Sequence, residues 1–414
     1  MRDTSLTICK AFTALFITLL LSGAPTAVCN LIVFIGAPML FLCVGQEFFY
    51  QSQEEDAPSL VGETFVVRGI RTLYWPFLLW SVVLLVLHNL LFVCKFVGGD
   101  GAQLYSWHEA FQRLWGIVFN MSLYDEQVGA NLWLLRSLFL SSIAFFVAYK
   151  LLRRFRPADS ENRTALTIAV STVLLIAWMI GAKLSIPGIF EGGYRELLGV
   201  LFIATGFLLA ANEKYVRASW TTLVVCLAVL ILGSIVVPSQ MTPEADFAHF
   251  FGLLLPAIAG FLVVRQLAQF VAEKTTFVRD AMTFLGDNAL CVIVFSLLSF
   301  KLVSMIKVAY YGLPWEAVGG CPVVCCNQGD AFWLLYLVSG IALPLLGVKL
   351  YRHLTARIDF SAKNVARWTW IGLVYVVRLL VRIVKRIAKA VWNGIMEIYN
   401  AFCDIIKASN PKDE

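Results

Sequence analysis

The stretch that decides the fold is residues 64–94, TFVVRGIRTLYWPFLLWSVVLLVLHNLLFVC. Arg68 and Arg71 are three apart, so on an α-helix they share one face, a turn from each other. Pro76 follows, and from Phe77 the chain stays apolar long enough to enter and cross a bilayer, which takes about 20 residues. A guanidinium at the mouth of such a span can snorkel to the interface and hold a phosphate or carboxylate in its fork. The same pair also obeys the rule that cations collect on the cytoplasmic side, and this stretch alone leaves both readings open.

The composition around it points the same way. The chain has 414 residues, 59% hydrophobic and 14% charged, with a mean hydropathy of +0.78. Soluble domains carry about 25% charged residues, so a globular cytosolic protein is excluded. The 31 Phe and 12 Trp suit a chain with much contact at headgroup level. The net charge of +6 falls largely in the C-terminal tail and gives no ground for nucleic-acid binding.

Residues 1–29 have the outline of a secretory signal: basic Arg2 and Lys10, an apolar run, then small residues before Cys29. A second apolar run, NLIVFIGAPMLFLCVG, follows at once, so the first is read as a retained span. Stretches of spanning length fall at 7–22, 28–45, 72–95, 132–151, 165–182, 196–211, 219–237, 249–270, 283–305 and 332–350. The predicted fold class is an all-α polytopic membrane protein with about ten transmembrane helices. Residues 96–131, with Trp107, His108, Trp115 and Asp125, are long for a connection and are expected to hold a short surface helix.

Arg68, Arg71, Lys150, Arg153, Arg154, Arg156, Lys214, Arg217, Lys274, Arg279 and Arg352 all lie after even-numbered stretches. The alternate connections carry few cations, which puts both termini and the arginine pair in the cytoplasm. Residues 1–360 are read as the transmembrane domain and 361–414 as a separate segment. In that segment Arg378, Arg382, Lys385, Arg386 and Lys389 share one helical face, with Val377, Leu380, Val384, Ile387 and Val391 opposite. Five cations at membrane depth argue against a further crossing; a C-terminal basic amphipathic helix lying on anionic lipid is expected.

Cys9, Cys29, Cys43, Cys94, Cys226 and Cys291 lie in or beside apolar runs and read as small core residues. Cys321, Cys325 and Cys326 cluster in GGCPVVCCNQGD, but their irregular spacing without a nearby histidine argues against a metal. One disulfide is expected there in an oxidising compartment, with Cys321 as a partner because adjacent cysteines would form a strained ring.

Several stretches together resemble one family. FVVRGIRTLYWPFLLW resembles the R-x-x-R…P signature of the membrane acyltransferase-3 family, whose members O-acylate polysaccharides and other surface glycans. NLIVFIGAPMLFLCVGQEFF is similar to that family's second span, and ANLWLLRSLFL to its W-F-L-x-x-L segment. FLGDNALCVIVFSLLSFKLV is similar to its late segment, and YYGLPWEAVGG…FWLLYLVSGIALPLL continues in the order seen in polysaccharide acetyltransferases. The resemblance covers about residues 5–350. It implies acetyl-CoA or another acyl-CoA as donor, held by Arg68 and Arg71, a glycan hydroxyl as acceptor, no metal, and a bacterial inner membrane location.

The departures fall on the chemistry. Where the family has histidines, this chain has Leu21 in the first span, Gly36 in the second and Ser296 in the late segment. A hydroxyl must lose its proton as it attacks a thioester, and histidine is the usual group for that task. The histidines present are His88, His108, His249 and His353, so no catalytic residue is assigned. Two alternatives stand beside transfer: an inactive relative serving as a partner or regulatory membrane subunit, and a small-molecule transporter with discontinuous helices near Pro187 and Pro256. Arg136 and Lys301 are cations inside apolar stretches and call for partners, and Glu47 is placed to pair with Arg68. Membrane lipid, a second copy of the chain and an envelope-assembly protein are the candidate partners.

Overall fold

A computed structural model describes residues 4–54, 65–98, 103–125, 127–156, 160–213, 219–244, 246–274, 276–324, 326 and 329–357. Contacts divide the chain into 1–348 and 349–414, and the described part of the second unit, 349–357, is helical. The expected C-terminal amphipathic helix and the boundary at residue 360 lie outside the described residues.

Helices and the turns between them make up the described residues, which contain no strand. The first hairpin is α1 (Thr4–Leu21) followed by α2 (Thr26–Ile32) and α3 (Gly36–Glu54). α4 (Phe65–Val93) carries the arginine pair and contains a π-helical turn over Ile70–Tyr74. α5 (Trp107–Trp115) lies in the long connection. Then come α6 (Leu132–Phe155), α7 (Glu161–Ala182), α8 (Tyr194–Ala211), α9 (Trp220–Val236) and α10 (Phe247–Lys274). α11 (Thr276–Asp287), α12 (Ala289–Tyr311) and α13 (Phe332–Arg357) complete the described chain. Among the described residues nine helical stretches are long and apolar enough to cross a membrane, and α9, at 17 residues, is apolar but shorter. They coincide with the ten apolar stretches of the sequence, and exposed Val86, Leu90 and Val93 on α4 suit a lipid-facing perimeter.

Local signals explain where helices begin. Ser106 accepts a hydrogen bond from the Glu109 N–H at 3.2 Å and starts α5, and Ser160 does the same for Arg163 at 3.3 Å and starts α7. Helix contact is closest where side chains are smallest. α3 and α8 form the most extensive helix pairing; Gly45 abuts the Ile203 carbonyl and Gly206 the Leu42 carbonyl, so a Cβ at either place would meet backbone. Toward the Arg68 end, Phe48 of α3 sits edge-on to Phe65, Phe145 and Tyr149, with ring centroids 5.0, 5.5 and 5.3 Å away. These rings bind α3, α4 and α6 together three residues from Arg68.

Two features differ from a simple reading of the sequence. The span expected at 283–305 is broken at Asn288 into α11 and α12. Gly286 allows this geometry: it approaches the Thr7 carbonyl so closely that α11 lies back along α1, and the crossing begins only at Ala289. The long connection does contain its short helix, but tied along α4. Asn89 clasps the Tyr105 backbone, donating to its carbonyl at 3.0 Å and accepting from its N–H at 2.8 Å. Tyr74 Oη donates to Val118 O at 3.0 Å. Tyr74 and Asn89 are about 22 Å apart on a helix rising ~1.5 Å per residue, so residues 107–120 run back beside α4.

Candidate functional site

At the end of the bundle where α1 and α4 begin and α3 ends lies a cavity of about 960 Å³. Its wall is mixed. Leu6, Leu40, Val44, Leu73 and Leu138 supply apolar surface, while Lys10, Glu47, Tyr50, Gln51, Arg68, Thr72 and Glu213 supply polar groups. The break between α11 and α12 contributes Gly286 through Cys291, so the start of α12, which no side chain caps, faces the cavity.

Most of its charges are already paired. Lys10 and Glu47 form an ion pair across α1 and α3. This corrects the expectation that Glu47 serves Arg68: Lys10 projects from the adjacent helix α1 and takes the carboxylate first. Glu213 accepts from Arg265 Nη2 at 2.7 Å, and Tyr50 Oη bridges the two, accepting from Arg265 at 3.1 Å and donating to Glu213 at 3.2 Å. The Arg68 guanidinium, exposed at the cavity wall, has no carboxylate partner among the described residues. It also lines an adjoining cavity of about 70 Å³ together with Glu47 and Thr72.

Arg71 lines neither cavity. The π turn that begins at Ile70 takes more residues per revolution than an α-helix. Three residues therefore cover less of a full turn, and Arg71 lies further round from Arg68 than α-helical spacing gives. Arg71 is exposed on the outer flank of α4.

Of the three positions that the resemblance aligns with histidines, Leu21 and Gly36 lie at the other end of α1, and Ser296 lies on α12, which packs on α1. Gly36 faces Ile17 and Leu20, and Leu21 packs on the cluster containing Leu297, the neighbour of Ser296. None of the three carries a titratable group, and Asn131 fills the adjoining polar space, donating to Ile293 O at 2.7 Å and to Ser296 Oγ at 3.1 Å.

None of the four histidines lines the cavity. His88 is buried, with Nδ1 2.8 Å from Asp125 Oδ2 and Nε2 3.1 Å from Gln103 O, its ring stacked on Tyr105 at 3.6 Å. Both ring nitrogens thus face oxygens of the protein, a carboxylate on one side and a carbonyl on the other. Neither nitrogen is left to receive a proton from a third group. His108 Nε2 is bonded to Gln112, His249 Nδ1 to Asp246 at 3.1 Å, and His353 is exposed in the second unit.

Lys301 and Arg136 find their partners. The Lys301 ammonium donates to Val318 O, Gly319 O and Gly320 O at 3.2, 3.3 and 2.8 Å, using all three of its donors on one short turn. Arg136 Nη2 contacts Glu196 at 2.9 Å and Glu191 at 3.2 Å. The cysteine cluster is seen in part: Cys321 Sγ lies 3.4 Å from Gln127 O, Cys326 is exposed, and Cys325, one of the three from which the expected disulfide draws, lies outside the described residues. Among the described residues no group of three His, Cys, Asp or Glu is placed to hold a metal.

Compared with protein-family models, with curated proteins and with solved structures, the chain finds no match in any of the three. The likeness to acyltransferases therefore rests on the sequence motifs alone.

Proposed function

We propose that this membrane protein binds an acyl-CoA, acetyl-CoA first among them, in the cavity beside Arg68 and passes the acyl group to a glycan hydroxyl across the membrane. The observation that carries the reading is a polar-mouthed cavity of about 960 Å³ with a guanidinium at its wall that has no carboxylate partner among the described residues. Pockets for small molecules and cofactors run to roughly 1,000 Å³, and a forked cation suits a phosphate. The apolar wall from Leu6, Leu40 and Leu138 would receive the acyl and pantetheine portions. The reading places Arg68 on the cytoplasmic side of a bacterial inner membrane, where acyl-CoA is found, with both termini on that side.

A second reading is favoured by the absence of histidine from the cavity wall. It keeps the binding and drops the transfer, making the chain a partner or regulatory membrane subunit. One experiment separates the two: purified protein is titrated with acetyl-CoA, then followed for release of free CoA thiol with and without a polysaccharide acceptor. Binding with release supports the transferase and binding without release the subunit. A folded protein that does not bind acetyl-CoA removes both.

A further inference from the structure

The cavity beside Arg68 has two edges that the donor reading does not use, one on α4 and one on α12. Ala289, Leu290 and Cys291 of α12 line it. Along α12, Cys291, Phe295, Leu298, Leu302 and Ile306 recur at intervals of three and four, so they share one face. Leu298, Leu302 and Ile306 are exposed, and a run of large apolar side chains open to the surroundings suits contact with lipid. Cys291 therefore stands at a corner. It lines the cavity, and the face it begins runs out along the apolar perimeter.

α4 presents the matching edge. Thr72 lines the cavity and is itself exposed, and exposed Leu79, Val86 and Leu90 continue along that side of the helix. Backbone pairing is lacking between the two edges. The Ile70–Val93 part of α4 packs on α5 and α6 but forms no close pair with α12. The two helices meet through side chains instead: Trp80 sits edge-on to Phe295, with ring centroids 4.4 Å apart.

That aromatic contact closes only one end of the interval. From Thr72 to Trp80 is about 12 Å of helix and from Cys291 to Phe295 about 6 Å, at ~1.5 Å per residue. The cavity reaches α4 and α12 on the Arg68 side of the contact, where the helices are held apart. Arg68 lies one turn before Thr72 on α4 and has no carboxylate partner among the described residues. Leu73, Leu138, Ala289 and Leu290 supply apolar wall in the same space.

From these observations we infer that the cavity opens sideways into the bilayer between Thr72 and Cys291, and binds an amphiphile with a phosphate head and a long alkyl tail. The forked Arg68 cation meets the phosphate, and the tail leaves between α4 and α12 beneath the Trp80–Phe295 contact. Hydrocarbon beyond the gap stays in lipid, so the length of the cavity sets no limit on the tail. A long-chain acyl-CoA and an anionic phospholipid both carry a phosphate joined to a fatty chain. This ligand class deepens the donor reading and rests on the same cavity.

The test uses the full chain in phosphatidylcholine nanodiscs and two palmitoyl-CoA photoprobes, with the diazirine near the thioester in one and at the chain end in the other. A second arm places the same two labels on one acyl chain of phosphatidylglycerol, and crosslinked residues are mapped by mass spectrometry. The near probe is expected on Leu6, Leu40 or Leu138, buried cavity-wall residues that lipid around the protein does not reach. The end probe is expected outside, on Leu79, Phe295 or Leu298. The arm whose near probe labels the wall identifies the source of the ligand. Thr72→Phe and Cys291→Phe fill the gap from either side and should cut wall labelling tenfold or more. Thr72 is exposed, so Thr72→Phe decides the matter should Cys291→Phe fail to fold. No wall labelling by either near probe, wall labelling by the end probe as well, or indifference to Thr72→Phe overturns the inference. Acetyl-CoA titration of the same discs keeps the readings apart: binding of acetyl-CoA without wall labelling removes the sideways opening alone, and loss of both removes the donor reading too.

Discussion

Lys10 and Glu47 form an ion pair on the wall of the cavity, joining α1 to α3 and occupying a carboxylate that shares that wall with Arg68. Arg68 therefore meets the cavity with its charge uncompensated by any described carboxylate, and the proposed phosphate contact depends on it first. Charge-assisted hydrogen bonds contribute about 1.5–3 kcal/mol. Arg68→Ala is expected to weaken acetyl-CoA binding about tenfold or more by isothermal titration, since ~1.4 kcal/mol is one decade. Arg68→Lys should recover part of the loss, because an ammonium lacks the fork. Arg71→Ala should cost less than Arg68→Ala, since Arg71 stands outside both cavities. Equal tolerance of alanine and lysine at Arg68 would reduce the pair to a topological signal.

The crossing of α3 and α8 sets a second expectation. At Gly45 and Gly206 an added methyl meets a backbone carbonyl of the opposing helix, and carbonyls cannot rotate away as a side chain can. Overpacking a tight core costs about 1–3 kcal/mol. Gly206→Ala should lower the thermal midpoint of the detergent-solubilised protein by several degrees. Gly181→Ala is the internal comparison: nothing lies within 4 Å of its added Cβ, so it should be neutral or stabilising. Equal midpoints for the two variants would show that the helices can separate without cost.

The helices were legible in the sequence because a bilayer imposes a length and an apolarity that soluble folds do not. Hydropathy could not place the break at Asn288, since Gly286 acts through its approach to Thr7, a contact between distant residues. For the site, Arg68 was identified from its spacing to Arg71, yet the π turn that sends Arg71 elsewhere leaves no mark in a count of three residues. Arg136 was visible as a cation in an apolar run; its partners Glu191 and Glu196 were not, because they lie 55 and 60 residues away. Glu47 was placed beside Arg68 by the sequence; its actual partner Lys10 was missed, although the two are ionisable groups predicted at the same end of adjacent spans.

The orientation of the bundle is open to direct measurement. With the Arg68 end in the cytoplasm, reporter fusions after residues 56, 158 and 214 should give cytoplasmic signals, and those near 125, 242 and 325 external ones. A cytoplasmic signal at 325 together with cytoplasmic signals at 56, 158 and 214 would contradict the ten-span reading. A fully inverted pattern would keep the fold but put the Arg68 cavity on the outer face, away from acyl-CoA.

The buried pair of His88 and Asp125 invites the thought that it is the base a transferase needs, and its bonding argues otherwise. Asp125 Oδ1 accepts from the backbone of Gln127 and Val128 at 2.9 and 2.8 Å, while Oδ2 meets His88 Nδ1. The other ring nitrogen is spent on Gln103 O. The pair therefore fastens both ends of the segment 103–128 to α4. Leaving one partner of a buried hydrogen-bonded pair unsatisfied costs about 1–3 kcal/mol, so His88→Ala should destabilise the protein and raise hydrogen exchange across residues 103–128. Replacing both partners with apolar residues is often close to neutral elsewhere. Here it should restore only part of the stability, because the Gln127 and Val128 N–H groups lose their acceptor whatever becomes of His88. Acetyl-CoA binding should be unaffected, since the pair lies outside the cavity lining. A His88→Ala protein that keeps wild-type stability and exchange but loses acyl transfer would reverse the assignment and make His88 the catalytic base.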